Sequence, residues 1–116
     1  MAGQEKKNTV LTDCLSQAQE LTDLIEYAKD SVVSKAILSK SVGSITLFAF
    51  DTGQSLSEHT SPYDAVVQIL DGTARLTIGG QDKMVHAGQL IIMPANVPHA
   101  VNAEEKFKML LIMIRA

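Results

Sequence analysis

Two histidines carry most of the chemistry open to this chain. His59 lies in GQSLSEHTSPYDAVVQILDG, from Gly53 to Gly72, and His99 lies in GQLIIMPANVPHAVNA, from Gly88 to Ala103. Each stretch opens on a glycine, and each places its histidine where a polar or Pro-bounded segment meets an apolar run. Asp71-Gly72, between them, reads as a hairpin turn. That layout aims both imidazoles into one cavity, where a ring nitrogen can donate, accept or ligate a metal near neutral pH. Ser61, Gln68, Met93, Met109 and Met113 are the candidate lining residues around them. Glu58 and Asp64 are the nearby carboxylates, read first as solvated groups. Asp64 faces the histidines only if a bulge near Pro62 reverses the alternation of strand side chains.

The elements that must position these groups are strands. SVVSKAILSK, from Ser31, is rich in β-branched residues, and SITLFAF follows a turn at Ser41 to Ser44. TARLTI alternates Ala74, Leu76 and Ile78 against Arg75 and Thr77, the pattern of a sheet with one wet face. Gly79-Gly80 is a two-residue hairpin turn into QDKMVHA, with Met84 and His86 on one face and His86 facing solvent. QLIIM ends at Pro94, and FKMLLIMIR is apolar almost throughout, as a strand covered on both faces must be. Short strands punctuated by Gly, Pro and Asp predict an all-β antiparallel barrel or double sheet. The barrel is expected over residues 31–116, behind an N-terminal arm over 1–30. Within the arm, Asp13 could cap a short helix bearing Leu15, Ala18, Leu21 or Thr22, and Ile25 on one side, and LTDLIEY could equally be an entering strand.

Composition bounds the rest. A chain of 116 residues makes one domain, and 46 % apolar against 20 % charged residues is a globular balance that favours self-association. A net charge of −3 without a basic stripe argues against nucleic acid, whose non-specific binding rests on Lys and Arg. No apolar run approaches the roughly 18 to 20 residues that span a bilayer, and the opening stretch lacks the apolar centre of a secretory signal, so a cytoplasmic protein without membrane attachment is expected. The lone Cys14 fits a reducing compartment and is read as structural. Five aromatic residues and no Trp argue against a stacking platform for sugars or bases.

The spacing of the two histidine segments resembles that of the small single-domain cupins, whose first motif runs Gly, five residues, His-x-His, then Glu, then Gly, and whose second runs Gly, five residues, Pro-x-Gly, two residues, His, then Asn. Gly53, His59 and Gly72 follow the first pattern, and Gly88, Pro94 and His99 the second, over roughly residues 36 to 115. The ligand positions depart from it. Ser61 stands at the second histidine position, Ala65 or Val66 at the glutamate, Asn96 at the second-motif glycine, and Asn102 comes one residue early. The resemblance implies a jelly-roll, double-stranded β-helix barrel, a dimer that lends an N-terminal strand to its partner, and a divalent Fe, Mn, Zn, Ni or Cu ion held through His59 and His99. Further oxygen has to come from Asp64, brought inward by a bulge, from Glu58 or Gln68, or from a bound substrate.

Two classes of function follow from these residues. One is a barrel that holds a small organic ligand with the histidines as hydrogen-bonding groups, satisfied in its absence by Ser61, Tyr63, Asn102 or water. The other is a metal-dependent enzyme of dioxygenase or isomerase type on an incomplete two-histidine site, with a metal-free general base as its variant. The absent ligand positions favour the first.

Overall fold

The computed structural model describes residues 8–116. Two antiparallel sheets face each other across one interior. The larger contains β1 (Thr9–Val10), β2 (Val32–Lys40), β3 (Gly43–Phe50), β5 (Ala65–Asp71), β8 (Leu90–Met93) and β10 (Phe107–Ile114), in the order β1-β2-β3-β10-β5-β8. The smaller contains β4 (Ser55–His59), β6 (Thr73–Ile78), β7 (Gln81–His86) and β9 (His99–Asn102), in the order β4-β9-β6-β7. This is the expected jelly-roll arrangement. Alternation along β5 shows how it is specified: Ala65, Val67 and Ile69 are buried in the interior, while Val66, Gln68 and Leu70 face outward.

Two turns need a residue that tolerates positive φ. Gly79 and Gly80, at φ 58 and 81, join β6 to β7 as predicted, with Ile78 opposite Gln81. Gly72, at φ 76, does something the sequence reading missed. Asp71-Gly72 is no hairpin, because β5 and β6 belong to different sheets. The chain instead crosses between sheets there, and a Cβ on Gly72 would run into the Lys106 carbonyl.

Between β1 and β2 the expected amphipathic helix is replaced by two short 3-10 turns, Thr12–Cys14 and Leu21–Asp23, and LTDLIEY forms no strand. A continuous helix is unnecessary, because Leu21, Leu24, Ile25 and Tyr27 already bury their side chains against the outer face of the large sheet, on Leu47, Ala49 and Leu110. Lys108, only 8 % exposed, donates to the Thr22 carbonyl at 2.6 Å, and Lys35 donates to the Leu24 carbonyl at 2.9 Å. These bonds supply partners for carbonyls that an irregular segment leaves without a ladder.

Tyr27 fixes the end of this segment. Its hydroxyl donates to Asp71 at 2.6 Å, and its ring lies 4.8 Å from the Lys106 ammonium and 5.0 Å from that of Lys108. Burial, and then the Asp71 carboxylate, hold the phenol's pKa well above its ordinary value. A raised folded-state pKa contributes stability that is fully present below the unfolded value, about 10, and lost as pH rises through the folded one. Urea midpoints of wild type and Tyr27→Phe should therefore lie farthest apart near pH 8 and converge above pH 10. A gap that stays constant to pH 11 would refute the assignment.

Candidate functional site

The two histidines reach the interior by different routes. His99 opens β9, paired on both sides, with His59 opposite it on β4 and Ile78 on β6. Its side chain points inward with Val101, two residues on, and is 4 % exposed. On β4, Leu56 faces Val101 and His59 faces His99, so three steps on one strand match two on the other. That extra residue is a bulge, and it turns His59 onto the face of Leu56 where simple alternation would have turned it away.

Both rings are then held in the same way. The His59 Nδ1 lies 2.9 Å from the Ser57 carbonyl, and the His99 Nδ1 lies 3.1 Å from the Val97 carbonyl. A carbonyl can only accept, so each Nδ1 donates a proton and each ring turns its Nε2 toward the other. The two Nε2 atoms stand 3.1 Å apart, with ring centroids at 4.3 Å and the planes at 71°. The partners expected from sequence, Ser61, Tyr63 and Asn102, are not the groups that satisfy Nδ1. Carbonyls two residues upstream of each histidine do so.

The pair closes one end of a cavity of about 140 Å³. Ser61 lies beside it, and Met93, Met109 and Met113 line its apolar wall with Phe48, Leu56 and Leu111. The remaining calls are placed elsewhere. Gln68 faces out of the barrel, between Leu90 on β8 and Leu110 on β10, because it is out of phase with Ala65 and Val67. Asp64 is exposed and its carboxylate accepts from the Ala95 amide at 2.8 Å, so it braces a turn and does not join the histidines. His86 shares a hydrogen bond with Thr73 on the exposed side of β7. Ser61 also binds locally: its hydroxyl accepts from the Tyr63 amide at 3.1 Å and its carbonyl from the Asn96 amide at 2.7 Å. Asn96 has φ 66, a conformation asparagine tolerates better than most residues, so it can stand where the motif has glycine.

The family model for the cupin domain matches residues 46–115, which include both histidine segments and the whole cavity wall. The chain belongs to the cupin family. Among solved structures, this cupin is similar to a conserved protein of unknown function from Streptococcus pyogenes, with 38% identity, a TM-score of 0.83 and coverage of 87% of this chain and 89% of that one. A cupin superfamily protein from Desulfitobacterium hafniense is 31% identical, with a TM-score of 0.82 over 87% and 93% of the two chains. A cupin 2 conserved barrel domain protein from Leptotrichia buccalis is 40% identical, with a TM-score of 0.78, over 80% of this chain and 45% of that one. No protein with a curated description matches the chain.

Cupins commonly hold a metal, and the donor set of this one fits that role only in part. Two imidazole nitrogens bound to one ion at about 2.1 Å stand about 3.0 Å apart when the ligand angle is a right angle, so the observed 3.1 Å suits two neighbouring ligands. The rest of the set does not fit. Ser61 and Ala65 supply a weak donor and none, and no group of three or more His, Cys, Asp or Glu side chains able to hold a metal occurs among the described residues. The side chains alone do not complete a shell for a resident transition metal.

Proposed function

We propose that this cupin binds a compact organic molecule in its barrel, with a hydroxyl or amine donating to the His59 and His99 Nε2 atoms and the remainder against the methionine wall. The observation that carries this reading is the convergence of the two Nε2 atoms. Both Nδ1 protons are committed to backbone carbonyls, so the Nε2 atoms, 3.1 Å apart, are the ring nitrogens left to meet a guest at the apolar space. With both rings neutral their facing lone pairs repel, and a donor hydrogen placed against them relieves that cost. A cavity of about 140 Å³ is close in size to one that takes a single six-membered ring, and methionine side chains adapt to such guests.

Calorimetric titration of wild type with phenol and with toluene tests the reading, since the two differ in the hydroxyl and little in shape. Phenol should bind about tenfold more tightly, the worth of one hydrogen bond to an otherwise unpartnered acceptor. His59→Leu and His99→Leu should erase that preference. Equal affinity for the two rings, or a preference that survives both substitutions, would defeat the assignment.

The spacing of the two Nε2 atoms favours one second reading. A divalent ion could enter together with a chelating ligand that supplies the oxygens the protein lacks. In that case neither zinc alone nor oxalate alone would raise the melting temperature, while the two together would. We further propose a cytoplasmic homodimer, a setting in which the single Cys14 stays a free thiol.

A further inference from the structure

Two loops meet beside the histidine pair, residues 60–64 between β4 and β5 and residues 94–98 between β8 and β9. Each is broken by proline and lies outside the ladders, so its polar groups have to find partners across the gap. The first loop grips the second at two points. The Asp64 carboxylate accepts from the Ala95 amide at 2.8 Å, and the Ser61 carbonyl accepts from the Asn96 amide at 2.7 Å. From the other side the Gly79 amide donates to the Pro98 carbonyl at 2.9 Å, and the Val97 amide closes a turn on the Pro94 carbonyl at 3.4 Å. Val97, with Asn96 at φ 66 before it and Pro98 after it, is left with its carbonyl 3.1 Å from the His99 Nδ1. Of these braces only that of Asp64 comes from a side chain, so it is the one a substitution can remove.

The Val97 carbonyl decides more than the direction of a ring. Which nitrogen of a neutral imidazole carries the proton is set by what the other nitrogen meets. A neutral His99 that let go of Val97 could carry its proton on Nε2 instead and donate it to the His59 Nε2, 3.1 Å away. The two rings would then satisfy each other, and a donor arriving from outside would find that acceptor taken. We infer that Asp64 is a positioning residue for the lumen: by holding the Ala95 amide it fixes the turn that presents the Val97 carbonyl, keeps the His99 proton on Nδ1 and leaves the Nε2 pair open to a guest. Asp64 is exposed, so the same bond contributes little to the stability of the fold. The consequence for a guest rests on the proposed function of the lumen, whereas the setting of the His99 proton does not.

Long-range proton–nitrogen NMR spectra of the free protein test it, since they report which nitrogen of each histidine carries hydrogen. They are recorded at about pH 8.5, above the range in which imidazole ordinarily takes up a second proton. Wild type should show the His99 proton on Nδ1. Asp64→Ala should move a measurable share of it to Nε2, and Asp64→Asn, whose side-chain oxygen can still accept from the Ala95 amide, should restore the wild-type spectrum. His59, whose partner is the Ser57 carbonyl of its own strand, should keep its Nδ1 proton throughout. Phenol affinity should fall about threefold in Asp64→Ala alone, with toluene affinity and melting temperature nearly unchanged. An Asp64→Ala spectrum like that of wild type, or an Asp64→Asn spectrum like that of Asp64→Ala, would overturn the inference. A shifted spectrum in a protein that binds phenol and toluene equally well would uphold the positioning and defeat the proposed lumen function instead.

Discussion

Phe107→Ala should cost this protein about 3–5 kcal/mol, a large share of the roughly 5–15 kcal/mol that holds a domain of this size together. Phe107 is fully buried, and its ring stacks on that of Phe50 with centroids 4.7 Å apart and planes at 11°. Phe50 in turn sits 6.1 Å from Phe48, which lines the cavity. The three rings fill the interior where β3 and β10 pair, Phe107 directly opposite Phe50. On the other side the Gly72 crossing presses backbone against Phe107, and that crossing carries the chain from one sheet to the other. The melting temperature should fall by about 10–20 °C, while Phe107→Leu, which keeps most of the volume, should cost well under half as much. Thermal and urea unfolding measure both. Similar costs for the two substitutions would mean that the stack, and not the volume, carries the energy.

How much of this was legible in the residues can be judged strand by strand. The strands from Val32 and Gly43 and the one from Phe107 were readable because a buried strand needs β-branched or uniformly apolar residues, and the Gly79-Gly80 turn because two successive positive φ values favour glycine. The jelly-roll and the family followed from glycine, proline and histidine spacing. Three things did not follow. The bulge on β4 that turns His59 inward leaves no mark in SLSEH, because it depends on which residue of β9 lies opposite. Gln68 was placed in the lumen on chemistry alone, although Ala65 and Val67 on the same strand set a phase that excludes it. The stretch from Asp13 to Ile25 reads either as a short helix or, over LTDLIEY, as an entering strand, and it forms only 3-10 turns because Leu21, Leu24 and Ile25 are satisfied by the sheet beneath and the Thr22 and Leu24 carbonyls by Lys108 and Lys35. For the bulge and the irregular segment the deciding contact lies far away in sequence, whereas the phase that turns Gln68 outward is present in its own neighbours.

His59→Ala and His99→Ala should both abolish recognition in the lumen and yet differ in stability, and that asymmetry tests whether the two rings form one site. His99 is buried within a strand paired on both sides. Removing its ring leaves the half-buried Val97 carbonyl without its donor and opens a void against Val101 and Met93, for a cost of about 1–3 kcal/mol. His59 is exposed, at the end of β4, and the Ser57 carbonyl it leaves behind can turn to water. Its loss should cost less than about 0.5 kcal/mol, the usual range for a surface change. Binding behaves differently, because a donor seated between the two Nε2 atoms needs both of them. Each variant should therefore lose the preference for phenol over toluene, although only His99→Ala unfolds at lower urea. If His59→Ala retains that preference, recognition rests on His99 alone. His59 would then be a mouth residue whose bulge serves the edge of the sheet, and the site would shrink to a single imidazole against a methionine wall.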